Sequence, residues 1–243
     1  MRYWPVPFSI YKVIPSHFTP PASCLLPPAS CLPLFFLSLH LQKNEAMLLD
    51  SLKEYKVLLA SKSPRRRELL TDMGINYELF SAEVDETYDA ALTPEEVVQY
   101  LSRLKLSTVD FSQYDAHTIF IACDTIVVVD GHIMGKPKDE EDAMQMVRAL
   151  SGRSHVVLSG LTVATPQKML TDYRSTTVHF AELSEDEIRY YVQHYRPMDK
   201  AGAYGVQEWI GCMGIKSIEG SFYNVMGLPT RLLWEMMSKA VEQ

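Results

Sequence analysis

The residues best suited to chemistry begin with a basic segment, residues 61–66, which read Ser-Lys-Ser-Pro-Arg-Arg. The segment follows a short apolar run and opens a predicted helix, so Arg65 and Arg66 fall in the first helical turn. Free N–H groups and a partial positive charge gather at that end of a helix, and arginines there oppose the dipole unless an anion lies between them. Ser61 adds a hydroxyl. The segment predicts a phosphate site; the alternatives are a solvated basic helix start or an arginine cluster for a protein or RNA partner.

Acidic side chains that could serve such a phosphate site occur at two places. Asp124 follows the apolar run 119–123, and packing poorly explains a charged residue at the end of a buried strand. Thr125 beside it offers a hydroxyl. Residues 84–86, Val-Asp-Glu, form the second place and include Glu86, although an ordinary solvated loop would look the same. Because cleavage of a triphosphate normally needs a divalent metal, carboxylates in such positions are expected.

Two lysines and a glutamine complete the candidates. Lys136 stands between a glycine and a proline, which fix the backbone and could aim the side chain; a surface turn is the alternative. Lys105 lies on a helical pattern and by itself resembles a surface lysine. Residues 201–207 are mostly small and would let the backbone approach a ligand closely. Gln207 could then read a base edge through its paired donor and acceptor.

The elements that must position these residues alternate between strand and helix patterns, which indicates an α/β fold. Ser63, Thr93 and Ser184 are predicted helix N-caps, the last two within capping boxes. Tyr191 and Tyr195 are predicted to face inward from the helix that Ser184 begins. Strands are predicted at 56–60, 118–123 and 126–129, with two or three more between 153 and 182; helices are predicted from 64 to Gly74, from 94, over 139–150, from 185, and from Pro229 to about 241.

The composition limits the class of protein. Of the 243 residues, 47% are hydrophobic and 22% charged, which is typical of a soluble globular chain with a sizeable core. A net charge of −7 argues against binding nucleic acid through a broad positive field. The four cysteines are scattered and suggest no disulfide framework, which favours the cytoplasm. The apolar run 32–37 is too short to span a membrane.

The first 46 residues differ from the rest. They contain no glycine, 8 of the 14 prolines and four charged side chains. We expect them to be a disordered extension or the product of a mis-assigned start, with Met47 as the true first residue. Residues 47–243 are then expected to form one compact domain.

Taken together, the motifs resemble those of the Maf family of nucleoside triphosphate pyrophosphatases. The resemblance covers roughly residues 55–236. It implies an elongated mixed sheet flanked by helices, with two lobes around a central cleft as in inosine triphosphatases, and it implies a homodimer. It also implies metal-dependent hydrolysis of a nucleoside triphosphate to monophosphate and pyrophosphate. The matching segments are 59–66, 84–86, 123–125, 135–137, 150–153, 197–207 and 220–229.

The resemblance also implies roles for individual residues. Asp124 would accept a proton from water, and together with Glu86 it would bind Mg²⁺ or Mn²⁺. Arg66, Thr125 and Gln207 occupy the positions that mark the branch cleaving dTTP and UTP. Cys123 departs from the alanine usual before the catalytic aspartate, with little expected effect beyond redox sensitivity. Phosphates would be held by Ser61, Arg65 and Arg66, and the cleft completed by Glu86, Lys105 and Lys136.

Two other functions are compatible with the same residues. A nucleotide-binding regulator of cell division that inhibits septum formation would keep the phosphate site and need no turnover. A pyrophosphatase for modified nucleotides would use the same machinery with a different base pocket.

Overall fold

A computed structural model describes residues 48–81 and 84–241 of the chain. The predictions made for residues 1–46 lie outside the described residues. The described part begins with a short helical segment over residues 48–52, in which Leu48 and Leu52 are buried. Within this part of the chain, no helix combines the length and the apolar character needed to cross a bilayer.

In the residues that the structure describes, one mixed sheet of seven strands forms the centre of the fold, in the order β2-β1-β3-β5-β6-β7, with β4 also paired to β3. β1 runs parallel to both of its neighbours, and the remaining pairs are antiparallel. The predicted mixed α/β sheet flanked by helices is confirmed. The strands are β1 Lys56–Ala60, β2 Glu78–Leu79, β3 Thr118–Val129, β4 His132–Met134, β5 Ser154–Ala164, β6 Met169–Phe180 and β7 Ile215–Glu219.

Helices begin where the capping residues predict. Thr93 and Ser184 both form complete capping boxes, whereas Ser63 occupies the N-cap position without a side-chain capping bond. Tyr191 is buried as predicted, but Tyr195 is 38% exposed because it lies in the last turn, which less of the protein covers. The helices are α1 Pro64–Asp72, α2 Pro94–Leu104, α3 Glu140–Leu150, α4 Glu185–Tyr195, α5 Trp209–Met213, α6 Phe222–Met226 and α7 Thr230–Val241, with short 3₁₀ turns at Phe111–Gln113 and Ala201–Ala203.

The two strands predicted at 118–123 and 126–129 are one strand, β3, and that prediction was wrong. β3 continues because β5 pairs with it without interruption, from Phe120 through Val128. Its other edge is divided: β1 pairs as far as Ala122, and β4 pairs from Val127 onward. Within the described residues, 123–126 therefore have no strand neighbour on that edge. Asp124 lies inside a strand, beside a gap in the sheet.

Alternation along β3 sends neighbouring side chains to opposite faces of the sheet. Ile121 and Cys123 join the main core, which α1, α3, α4 and α7 cover. Phe120 and Ala122 join a smaller cluster on the other face, on the side of the segment that follows α2. By the same alternation Asp124 faces the α2 side, and Thr125 faces the α1 side.

α2 approaches the sheet closely at Gly160, the β5 residue that pairs with Asp124. A Cβ atom on Gly160 would lie 2.1 Å from the carbonyl oxygen of Val98 in α2. The absent side chain thus lets the helix backbone rest directly on the strand. This contact fixes the position at which α2 ends, one residue before Lys105.

Candidate active site

The gap beside β3 opens into a cavity of about 730 Å³. All nine candidate site residues line it, although they come from separate segments of the chain. Asp199 and Lys200, which the motifs contained but to which no role was given, line it as well. The nine are Ser61, Arg65, Arg66, Glu86, Lys105, Asp124, Thr125, Lys136 and Gln207.

Lys105 joins the two candidate carboxylates. Its Nζ contacts Asp124 Oδ1, lies 3.4 Å from Glu86 Oε1, and donates to the carbonyl oxygen of Cys123 at 3.4 Å. The Lys105 and Asp124 side chains are only 13% and 14% exposed, whereas Glu86 is 53% exposed. The helical pattern by itself resembled that of a surface lysine, whereas the end of α2 turns this side chain into the cavity, where the resemblance also puts it.

The donor set at this point fits a magnesium or manganese ion that shares its coordination with a substrate. Glu86 and Asp124 converge on the same ammonium group, so both can approach one cation. Within residues 48–81 and 84–241, no group of three or more His, Cys, Asp or Glu side chains is arranged to hold a metal. Mg²⁺ is often bound through one or two carboxylates, with phosphate oxygens and water completing its shell. A phosphate ligand would therefore have to supply part of the coordination.

Arg66 is held by three acceptors from three parts of the chain. Its Nε donates to the Gly227 carbonyl oxygen at 2.7 Å, Nη1 to Ser61 Oγ at 3.2 Å, and Nη2 to Thr125 Oγ1 at 3.1 Å. Thr125 Oγ1 also lies 2.9 Å from Ser159 Oγ. Each acceptor leaves the planar guanidinium less freedom to rotate. Arg66 thus fixes Ser61 and Thr125 relative to each other and closes the α1 side of the cavity.

Arg65 has a different partner. Its Nη1 donates to Asp199 Oδ2 at 2.7 Å, and Lys200 Nζ donates to Asp199 Oδ1 at 2.7 Å. Partial burial opposes ionisation of Asp199, but the hydrogen bonds from Lys200 and Arg65 outweigh it and lower the pKa of Asp199 to about 2. The carboxylate is therefore charged throughout the neutral range, and it orients the arginine at the start of α1.

Lys136 and Gln207 lie at the exposed rim of the cavity. Neither side chain makes a hydrogen bond or ion pair to any other described residue. Lys136 follows β4, which pairs with the far end of β3, and Gln207 follows the 3₁₀ turn at Ala201–Ala203. Both side chains can therefore turn toward a ligand without breaking an existing contact.

Cys123 is fully buried beside Asp124 and packs in the main core. Burial raises the pKa of its thiol, and its Sγ lies 3.4 Å from the Gly227 carbonyl oxygen. The prediction that it lies on a buried strand is confirmed. Its redox sensitivity stays a prediction.

Sequence reasoning gave no role to Asp199, Lys200, Glu208 or Gly227, all of which contact the site or its supports. One signal was available: a charged pair, Asp199 and Lys200, directly precedes the small residues 201–207. Gly227 acts through its carbonyl oxygen, which no side-chain pattern reveals.

Comparison with known proteins gives a consistent result. Residues 56–240 match the sequence model of the family described as Maf-like protein. A protein of Porphyromonas gingivalis named dTTP/UTP pyrophosphatase is 48% identical over 189 residues, covering 77% of this chain and 95% of that protein. One of Bacteroides thetaiotaomicron, with the same name, is 47% identical over 193 residues, covering 79% and 100%.

A solved structure, that of the Staphylococcus aureus Ham1 protein, is more distant. It has a TM-score of 0.45 and 15% identity, covering 76% of this chain and 98% of that chain. The family model, by contrast, spans the whole sheet and every residue of the cavity described above. This chain belongs to the Maf-like protein family.

Proposed function

We propose that this protein hydrolyses dTTP and UTP to the nucleoside monophosphate and pyrophosphate. The observation that carries the proposal is the meeting of Lys105, Asp124 and Glu86 in the same cavity as Arg65 and Arg66. One side of this cavity carries carboxylates for water and metal, and the other carries guanidinium groups for phosphate. The two relatives named dTTP/UTP pyrophosphatase support the choice of substrate.

In the proposed reaction Asp124 accepts a proton from a water molecule, whose oxygen attacks the α-phosphorus. The bond between that phosphorus and the oxygen bridging to the β-phosphorus breaks, and pyrophosphate leaves with the bridging oxygen. Asp124 then returns its proton to solvent. Lys105, in contact with Asp124, holds the carboxylate in place and offers positive charge beside the reacting phosphate.

Arg65 and Lys136 are suited to the departing pyrophosphate. Lys136 is exposed at the rim and makes no bond within the described residues that it would have to give up. Arg65 donates one of its N–H groups to Asp199, and its remaining N–H groups can donate to phosphate oxygens. The proposed metal, Mg²⁺ or Mn²⁺ on Glu86 and Asp124, supplies charge neutralisation of the triphosphate when bound.

For the base, we propose that Gln207 pairs with the pyrimidine edge while Thr125, held in place by Arg66, shapes the pocket beside it. A glutamine amide has one acceptor and two donors, which suit the adjacent carbonyl and N–H groups of thymine and uracil. Gln207 is exposed on the cavity rim and engages no other described side chain. Since no residue of the described part of the chain bonds its amide, both polar groups of Gln207 are available for the base.

The proposal is tested by measuring pyrophosphate release from a panel of nucleoside triphosphates, including modified ones, with Mg²⁺ and with Mn²⁺. We expect dTTP and UTP to be cleaved fastest. Asp124→Asn should lower turnover by about 100-fold or more while dTTP still binds. Asp172→Asn serves as the control, because Asp172 is a half-exposed carboxylate on β6 outside the cavity.

Binding of dTTP without any pyrophosphate release by the unaltered protein would contradict the proposal and favour a nucleotide-binding regulator of cell division. Faster cleavage of modified nucleotides than of dTTP would move the function to clearing damaged nucleotides. Normal turnover in Asp124→Asn would remove the role given to that residue.

We also propose that the enzyme works in the cytoplasm, as a homodimer. Its proposed substrates are cytoplasmic metabolites, and among the described residues Cys123 and Cys212 are both free thiols. Light scattering of the purified protein tests the dimer, and a single-chain mass at micromolar concentration would contradict it.

A further inference from the structure

A chain of polar contacts that begins in the cavity wall and continues behind it links the phosphate end of the cavity to its base end. It starts at Arg65, which donates to Asp199 at 2.7 Å, and Asp199 accepts in turn from Lys200 at 2.7 Å. Lys200 Nζ also lies 3.0 Å from Glu208 Oε1. These contacts reach from the first turn of α1 to the residue that follows Gln207.

The chain continues into α4. The Tyr191 hydroxyl donates to Glu208 Oε2 and accepts the backbone N–H of Gly205 at 2.9 Å. Gly205 lies two residues before Gln207, so the tyrosine holds the backbone of the segment that presents the glutamine. A Cβ atom on Gly205 would lie 2.7 Å from Glu208 Cδ, so a side chain at this position would push the carboxylate out of its present place.

Most of this chain is shielded from water. Tyr191 is fully buried, Lys200 is 8% exposed as a residue, and the Glu208 side chain is 18% exposed. Buried charges cost free energy to desolvate, and apolar side chains of similar volume could pack at least as stably. Stability alone therefore gives little reason for an ion pair here. The ion pair lies between the backbone that presents Gln207 and the carboxylate that orients Arg65. This position is a better reason for the ion pair than stability.

We propose that Tyr191, Glu208, Lys200 and Asp199 form a positioning relay that couples the base end of the active site to its phosphate end. In this proposal, binding of the correct base fixes residues 205–207. Their fixed position constrains Glu208, Lys200 and Asp199 in turn, and Asp199 then holds Arg65 toward the phosphate. Tyr191 and Glu208 do not line the cavity, so they act through Gly205 on one side and through Lys200 and Asp199, which line it, on the other. The inference rests on the proposed function, since it assumes that Gln207 faces a base and Arg65 faces a phosphate.

The relay predicts that a substitution at the base end of the site weakens phosphate binding at the other end. Tyr191→Phe removes only a hydroxyl, which contacts the base end of the site. We expect it to raise KM for dTTP about tenfold, as for loss of one hydrogen bond to a charged group. We also expect the inhibition constant of inorganic tripolyphosphate, which has no base, to rise at least about threefold. A purely local role would change KM for dTTP and leave tripolyphosphate unaffected.

Controls separate the relay from general damage. Tyr195→Phe removes a hydroxyl one turn along α4, where the ring stacks on Tyr191 but contacts no member of the relay beyond it. It should behave as the unaltered protein. Glu208→Gln keeps the shape and a hydrogen-bond acceptor, and replaces Tyr191→Phe in the test if that variant does not fold by circular dichroism. Asp199→Asn is the reciprocal change and should reduce the preference for dTTP over dCTP.

An unchanged inhibition constant for tripolyphosphate in both Tyr191→Phe and Glu208→Gln would overturn the relay. If the unaltered protein releases no pyrophosphate from dTTP, the proposed function fails instead. The relay is then tested on its own by calorimetric binding of dTTP and of tripolyphosphate to the same variants. Weaker binding of both dTTP and tripolyphosphate supports the relay, and weaker binding of dTTP alone contradicts it.

Discussion

Replacing Gly160 with alanine should damage both the stability and the activity of this protein, although Gly160 is not itself a cavity residue. The new Cβ would lie 2.1 Å from the Val98 carbonyl oxygen, 2.5 Å from the Val98 carbonyl carbon and 3.0 Å from the Gln99 nitrogen. All three are backbone atoms of α2, so no side-chain rotation relieves the overlap. The helix or the strand has to move.

The size of the effect follows from these distances. Cβ atoms essentially never come closer than 3.0 Å to another heavy atom, so the 2.1 Å contact must open by about 0.9 Å. Overpacking of this kind in a core costs about 1–3 kcal/mol of unfolding free energy. Because α2 ends one residue before Lys105, the shift also moves the ammonium group away from Asp124. A misplacement of about 1 Å can lower turnover by about 100-fold.

Urea unfolding followed by circular dichroism measures the first effect, and pyrophosphate release from dTTP measures the second. Gly135→Ala is the stability control, because a Cβ there meets nothing within 4 Å. An unchanged urea midpoint in Gly160→Ala would refute the close packing of α2. A lowered midpoint with normal turnover would refute the argument that α2 positions Lys105.

Three further outcomes are expected. Arg66→Lys loses the bonds to three separate acceptors and should lower kcat/KM for dTTP at least about tenfold, as measured by pyrophosphate release. Burial, with a smaller contribution from the nearby His179, lowers the pKa of His155 to about 4. As the pH falls, the histidine of the unfolded chain is protonated before that of the folded chain. The free energy of unfolding should therefore fall by up to about 3 kcal/mol between pH 6.5 and 4. Urea titrations at several pH values should show that His155→Gln abolishes this contribution to the pH dependence of stability. Glu185→Gln breaks an exposed ion pair with Arg148, which solvent screens, and should leave the urea midpoint nearly unchanged.

Local signals in the sequence predicted what depends on neighbouring residues alone. The capping boxes at Thr93 and Ser184 place two helix starts correctly, since the bonds join residues three apart. The strand at 56–60 and the helix after Ser63 follow in the same way. Those elements were enough to predict that Arg65 and Arg66 begin a helix beside the sheet.

What the sequence could not reveal depends on partners far along the chain. The uninterrupted strand through Asp124 follows from pairing with β5, more than thirty residues later, so a local pattern divides it in two. The helical pattern around Lys105 by itself resembles that of a surface residue. Only the close contact of α2 with Gly160 turns the lysine toward Asp124. The shortest strands, β2 with two residues and β4 with three, are too short for a periodic pattern to be recognised.

The long reach of the Arg66 contacts has a consequence for how the molecule becomes active. Arg66 and the Gly227 carbonyl are 161 residues apart in sequence, and Arg65 and Asp199 are 134 apart. Contacts of such separation close large loops, so they form late and only when most of the chain has folded. A growing or partly unfolded chain therefore cannot hold a triphosphate. Any nucleotide that binds this site stabilises the native state alone, by about 2.7 kcal/mol at a concentration 100 times its Kd. The proposed substrate would thus act as a folding ligand for its own enzyme, and catalytic activity would report the native fraction of the population.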